Sequence, residues 1–268
     1  MNVRDYYAGE NEKPLDRMPA DGGFAGIFRK IVCIGDSLSS GEFEAADKDG
    51  NRSYHDKFEY SWGQYLGRLV GSQVYNYSRG GMTTFEYCRS FAEAQGFWNP
   101  EIKADCYIIA LGVNDLCGWD YTVGDIDDMR TDDWQNNPDT FAGWYGRIIS
   151  RYREISPDAH FFHITMPRHG NDEFFNTRAA AQAELLRKIP GKFTHNHVID
   201  LNRYAPVYDA EFMKNFFLYG HMNPAGYLLT SRMVASYIDY IIRHDPVLFA
   251  QAGMLNTPYY NYDMDRAD

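Results

Sequence analysis

The sequence predicts an α/β chain: a three-layer α/β/α sandwich on a five-stranded parallel sheet. Short apolar runs that end in turn residues recur along the chain, and most are separated by helical patterns of ten or more residues. Such spacing demands crossover connections, which are right-handed and leave a parallel sheet covered on both faces. The 268 residues, 44% of them hydrophobic, suffice for one substantial core, and no repeat, linker or low-complexity tract divides them.

Residues 1–28 read as a polar N-terminal arm with Pro14, Pro19 and a Gly22-Gly23 pair. KIVCIGDS (30–37) then reads as a buried strand running into a turn, followed by a helix over 61–70, a strand at 73–77 and a helix over 84–95. DCYIIALG (105–112) is the most strand-like run of the chain. After it, loop 116–137 carries six Asp, one Arg, Trp119, Tyr121 and Trp134. A helix over 139–154 stops at Ser156-Pro157, and AHFFHITM (159–166) is the fourth strand, closed by Pro167. A helix over 173–189 ends before Pro190-Gly191, and THNHVIDL (194–201) is the fifth strand. Pro224, a favoured first helical residue, opens an amphipathic helix to 243. The expected division is therefore an arm (1–28), one α/β domain (29–245) and a Tyr-rich tail (246–268).

A formal net charge of −11 disfavours nucleic acid and anionic membrane surfaces as partners, since both are polyanions. No run approaches the roughly 18 apolar residues that span a bilayer, and the first residues lack the apolar core of a secretory signal. Cys33, Cys88, Cys106 and Cys117 show no CxxC spacing, so reduced thiols and a cytoplasmic location are expected, secretion of a trimmed chain being the other reading.

Polar residues gather where strands should end. Gly35-Asp36-Ser37-Leu38, Asn76 to Thr83 with its Gly80-Gly81 pair, and Gly112-Val113-Asn114-Asp115 follow three strands, and Gly220-His221-Met222-Asn223-Pro224 precedes the last helix. In open α/β sheets the carboxyl ends of the strands form the site. A serine there is exposed beside a helix N-terminus, a glycine pair lets backbone N–H groups approach a ligand, and an asparagine amide adds a donor. Three converging donors make an oxyanion hole, and a histidine from another segment supplies the base that activates the serine.

The blocks GDSLSSG, SRGGMTT, GVND and HMNPAGY, in that order from residue 35 to 227, resemble the four consensus blocks of the SGNH (GDSL-type) hydrolase superfamily. The resemblance implies a flavodoxin-like fold and an ester hydrolase working without a cofactor or metal. It makes Ser37 the nucleophile, His221 the base, and Ser37, Gly81 and Asn114 the oxyanion donors, with Asp36 bracing the turn. One position departs from the pattern: the acid usually found three residues before the histidine is Leu218. A backbone carbonyl is the expected partner of His221; an acid from elsewhere, such as Asp209 or Glu211, is the alternative.

Other residues invite weaker readings. His163, His169, His195 and His197 lack a metal-site pattern and are expected to be structural, with His169 a candidate pocket residue. The Asp-rich loop lacks the central Gly and terminal Glu of a calcium loop. It should overhang the site, where Trp119, Tyr121 and Trp134 would either stack on a sugar or pack the loop down. The expected reaction is hydrolysis of a small-molecule or oligosaccharide ester, by a short-chain or carbohydrate O-acetyl esterase. A non-catalytic carbohydrate-binding protein and an acyltransferase are the alternatives.

Overall fold

The computed structural model describes residues 2–263, so Met1 and the last five residues of the expected Tyr-rich tail (264–268) lie outside the described residues. Among the described residues nine strands follow one another: β1 (Lys30–Gly35), β2 (Glu42–Ala46), β3 (Arg52–Asp56), β4 (Gln73–Ser78), β5 (Cys106–Ala110), β6 (His160–Ile164), β7 (Asn196–Ile199), β8 (Phe217–Leu218) and β9 (His221–Met222). Five of them form one sheet in the order β4-β1-β5-β6-β7, and every pairing in it is parallel. In chain order that is 2-1-3-4-5, the flavodoxin-like arrangement.

Side chains alternate across a strand, so each central strand feeds two cores. Ile31 and Cys33 of β1, with Cys106 and Ile108 of β5, face the helices Trp62–Val70 and Pro224–His244. Val32 and Ile34, with Tyr107 and Ile109, face the helix Phe141–Ile155 and the helical stretch from Thr84 to Ala94, which the sequence predicts as a helix over 84–95 and whose middle, Tyr87–Phe91, is a π-helical turn. The helices start where the chain offers a cap: Ser61, Thr140, Asp172 and Asn223 each accept a first-turn backbone N–H.

Two antiparallel pairs lie outside the main sheet, β2 with β3 and β8 with β9. No apolar run predicts an element between Ser37 and Ser61, yet the β2–β3 hairpin occupies that stretch. THNH was also expected to lie wholly in a strand, with His195 and His197 sharing one face. Instead β7 starts at Asn196, and His195 precedes it at φ 54°, in the left-handed region. His195 and His197 each stack on His160, and Phe249 covers His160 and His197. Among the described residues no His/Cys/Asp/Glu group is arranged to hold a metal ion, and no helix is long and apolar enough to cross a membrane.

The N-terminal segment is tied to the last helix by buried charge. Arg243 is 3% exposed, and its guanidinium donates to Asp239 Oδ2 at 2.7 Å and to both oxygens of Glu12. The Arg243 hydrogen bonds outweigh burial and hold the Glu12 carboxyl down at about 2. Asp239 also accepts the Phe24 N–H at 2.9 Å. Removing the cation strands two carboxylates, which typically costs about 3–5 kcal/mol. Arg243→Met is therefore expected to lower the stability read from urea denaturation by that amount, with residues 2–27 becoming more sensitive to protease.

Candidate active site

Parallel register brings three turns to one rim. Gly35 pairs with Ser78 on one side and Ala110 on the other, so Asp36-Ser37, Arg79 to Met82 and Leu111 to Asn114 leave the sheet side by side. Asp36 caps the short helix Ser37–Ser40 by accepting the Leu38 N–H at 3.1 Å. Ser37 is the first residue of that helix, so its own N–H has no acceptor within it.

Gly81 has φ 71°, a left-handed conformation that favours glycine, and its turn carries Met82 beneath Asn114. Asn114 Nδ2 donates to the Met82 carbonyl at 3.2 Å. Asp115, fully buried, accepts from Thr84 N and Oγ1 at 2.9 and 2.6 Å, locking the two loops together.

His221 arrives on β9, which packs against the Ser37–Ser40 helix and β2. Residues on both sides of Ser37 (Asp36, Leu38) and the residue after His221 (Met222) line one largely apolar cavity of about 70 Å³. Ser37, Gly81, Asn114 and His221 thus belong to segments meeting at one rim.

The surroundings of His221 differ from the expectation. Its Nε2 lies 3.1 Å from Glu42 Oε1 and its Nδ1 lies 3.5 Å from Glu44 Oε2. The nearest partners are therefore two carboxylates of β2, and a backbone carbonyl is not among them. Asp209 and Glu211 play no part: Asp209 caps the helix Ala210–Phe216, and Glu211 lies in its exposed first turn. Leu218 pairs with His221 across the β8–β9 turn and is exposed. Glu42 also lies against Gly80, where a Cβ would push its carboxylate aside.

The expected pocket residues separate. Trp119 is 67% exposed and stacks on Tyr121 at 6.5 Å, while Tyr121 meets Phe85, which packs edge-on to Trp144. Trp134 is carried away from the rim. Its Nε1 donates to Glu154 at 3.0 Å, in the last turn of Phe141–Ile155, a helix that runs from the carboxyl ends of the strands back toward their starts. His169 packs on Phe175 at 5.4 Å and is not among the residues lining the apolar cavity.

The rim is acidic and partly buried. Burial, aided by the nearby charges of Asp115 and Glu42, pushes the Asp36 carboxyl up to about 7 against the Leu38 N–H. Burial likewise pushes Asp115 up to about 6, opposed by Thr84. Burial raises Glu42 too, and the His221 charge opposes it. Burial also disfavours ionised Glu44, but hydrogen bonds from Gly220 N–H and Arg52, with His221 close by, outweigh it and hold its carboxyl below the usual range.

For Asp36 and Asp115 the folded state binds protons more tightly than the unfolded chain. Their contribution to stability is therefore full at acid pH and falls as pH rises through about 4 to 7. Asp36→Asn keeps a capping residue and removes one ionisation. Urea midpoints measured across that range should fall less steeply for this variant than for the wild type.

The family model for GDSL-like lipase/acylhydrolase matches residues 33–229, and the chain belongs to that family. Comparison with curated proteins finds no match. Among solved structures, the chain is similar to a family two carbohydrate esterase from Clostridium thermocellum in complex with cellohexaose, with a TM-score of 0.57 at 15% identity. That alignment covers 80% of this chain but only 64% of the esterase, so this chain spans under two thirds of that protein. A carbohydrate esterase family 2 enzyme from Corynascus thermopiles (Myceliophthora fergusii) aligns with a TM-score of 0.54 at 14% identity, covering 84% of this chain and 67% of that one. A Lactobacillus plantarum protein aligns at 0.55 and 18% identity, covering 79% and 97%. At these identities the likeness concerns the fold.

Proposed function

We propose that the chain is a serine ester hydrolase acting on short-chain, most readily acetyl, esters of small molecules or oligosaccharides. What supports this reading is the shared rim: a serine at a helix start, a left-handed glycine turn, an asparagine amide and a histidine, drawn from segments far apart in sequence. The carbohydrate esterases of like fold and the exposed Trp119–Tyr121 pair favour a sugar-bearing substrate.

In the reaction, the Ser37 hydroxyl attacks the ester carbonyl carbon while His221 takes its proton. The C=O π bond opens, and the resulting oxyanion is held by the N–H groups of Ser37 and Gly81 and the Asn114 amide. Collapse breaks the bond to the alcohol oxygen, which takes the proton from His221 and leaves Ser37 acylated. Water, deprotonated by His221, then attacks the acyl carbon, and the proton returns to Ser37 as the acid departs. His221 Nε2 is engaged with Glu42 in this structure and must release, whereas the Asn114 amide spends one N–H on the Met82 carbonyl and keeps its second for the oxyanion.

The contact with Glu42 favours a rival reading, a carbohydrate-binding protein whose histidine is held away from the serine. A fluorophosphonate probe decides between them. The hydrolase is expected to be labelled at Ser37, with acetyl esters turned over faster than octanoyl esters; an unlabelled, folded protein would establish the rival. Asn114→Ala should keep labelling detectable and lower kcat about 10²- to 10³-fold, the usual loss for one oxyanion donor. A transferase would instead form product only when a sugar hydroxyl acceptor is supplied.

A further inference from the structure

We infer that Glu44, on the β2–β3 hairpin, is the positioning acid of His221, a role that rests on the serine hydrolase reading. The segment before the histidine does not supply one, since Leu218 stands there with its side chain in solvent. His221 Nδ1 is buried without a hydrogen bond, and its acidic neighbour is Glu44 Oε2 at 3.5 Å. Resting sites often show such bonds stretched, to tighten when substrate binds.

Glu44 is itself held from two sides. Its Oε2 accepts the N–H of Gly220, the residue just before His221, at 2.9 Å, and its Oε1 pairs with Arg52 of β3. Only 3% of its side chain is exposed. Carboxylate and imidazole are thus fastened to the same short stretch of backbone and move as a unit. Tyr54 of the same hairpin packs edge-on to the ring at 5.9 Å, and Arg52 lies over Tyr219.

Glu42 is the competing acid, and its location argues against that role. It meets the opposite nitrogen, Nε2, and abuts Gly80 on the side of the donor loop. It therefore stands where substrate and the Ser37 hydroxyl must come. With Nδ1–H donating to Glu44, the neutral ring keeps its lone pair on Nε2. That nitrogen accepts the Ser37 proton, and Glu44 then faces the imidazolium.

The test uses the full chain with Glu44→Gln, Glu44→Asp and Glu42→Gln. It reads the rate of fluorophosphonate labelling at Ser37, kcat on an acetyl ester, the urea midpoint, and the His221 tautomer by ¹⁵N NMR of histidine-labelled protein. In Glu44→Gln, Arg52 holds the amide oxygen and the N–H turns to Nδ1, so the ring should lose its Nδ1 proton and kcat should drop about 10³- to 10⁴-fold in protein that still folds, at a lowered urea midpoint. Glu42→Gln should keep the Nδ1–H tautomer. If Glu44→Gln does not fold, Glu44→Asp decides: the tautomer retained with kcat about tenfold to a hundredfold lower supports the role, and an unchanged kcat overturns it. Glu44→Gln labelling at the wild-type rate, or the tautomer changing in Glu42→Gln alone, also overturns it. Failure of the wild type itself to label at Ser37 would instead count against the hydrolase reading.

Discussion

Parallel register among β4, β1 and β5 is the constraint on which the rest of the molecule depends. Gly35, Ser78 and Ala110 stand in one row, and the turns that carry Ser37, Gly81 and Asn114 each begin at the next residue. A slip of one residue would turn Ile31 and Cys33 toward the core that now holds Val32 and Ile34. Both faces of β1 are buried, so no slip leaves either core intact. The packing of apolar side chains thereby sets the spacing of polar groups that it never touches.

Holding the rim in place has an electrostatic cost. Asp36 and Asp115 are buried beside one another's fields, and both resist ionisation. Each is nevertheless answered by backbone: Asp36 by Leu38 N–H, Asp115 by Thr84 N–H and its hydroxyl. These bonds fix the direction in which the Ser37 helix leaves β1 and the distance between the Gly81 turn and Asn114. The carboxylates act here as braces whose charge is tolerated because two loops need a common anchor.

The five strands of the sheet and the longer helices were legible because burial on both faces gives short unbroken apolar runs, and because Ser61, Thr140 and Asn223 announce helix starts. The β2–β3 hairpin was not. Its residues are mostly polar and exposed on β3, so no apolar run marks it. Its signal was subtler: EFEAA and RSYHD flank Asp47-Lys48-Asp49-Gly50-Asn51, and Gly50 at φ 84° completes a turn. Trp134 misled for another reason. Its place after the third strand said nothing of the direction taken by a loop of more than twenty residues, and its indole is drawn to Glu154 by a hydrogen bond that sequence distance hides.

Missing the hairpin meant missing both acids of His221, and that connection explains the Leu218 departure. An acid three residues before a histidine orients it through the same short segment and needs no other element. Here the β8–β9 turn is too tight for that: Leu218 pairs directly with His221, and Tyr219 between them is already left-handed at φ 54°. With the local route closed, a distant acid must be fastened to the histidine's own backbone, and the bond from Gly220 N–H to Glu44 does this. The order of His221 then depends on the docking of a hairpin that contributes little to the main core. Ser40 reaching Asp56, Tyr227 donating to the Glu42 carbonyl at 2.6 Å, and Phe43 packed between Tyr60 and Tyr227 are the contacts that hold it there. Docking the hairpin and orienting the histidine are, by this geometry, one event.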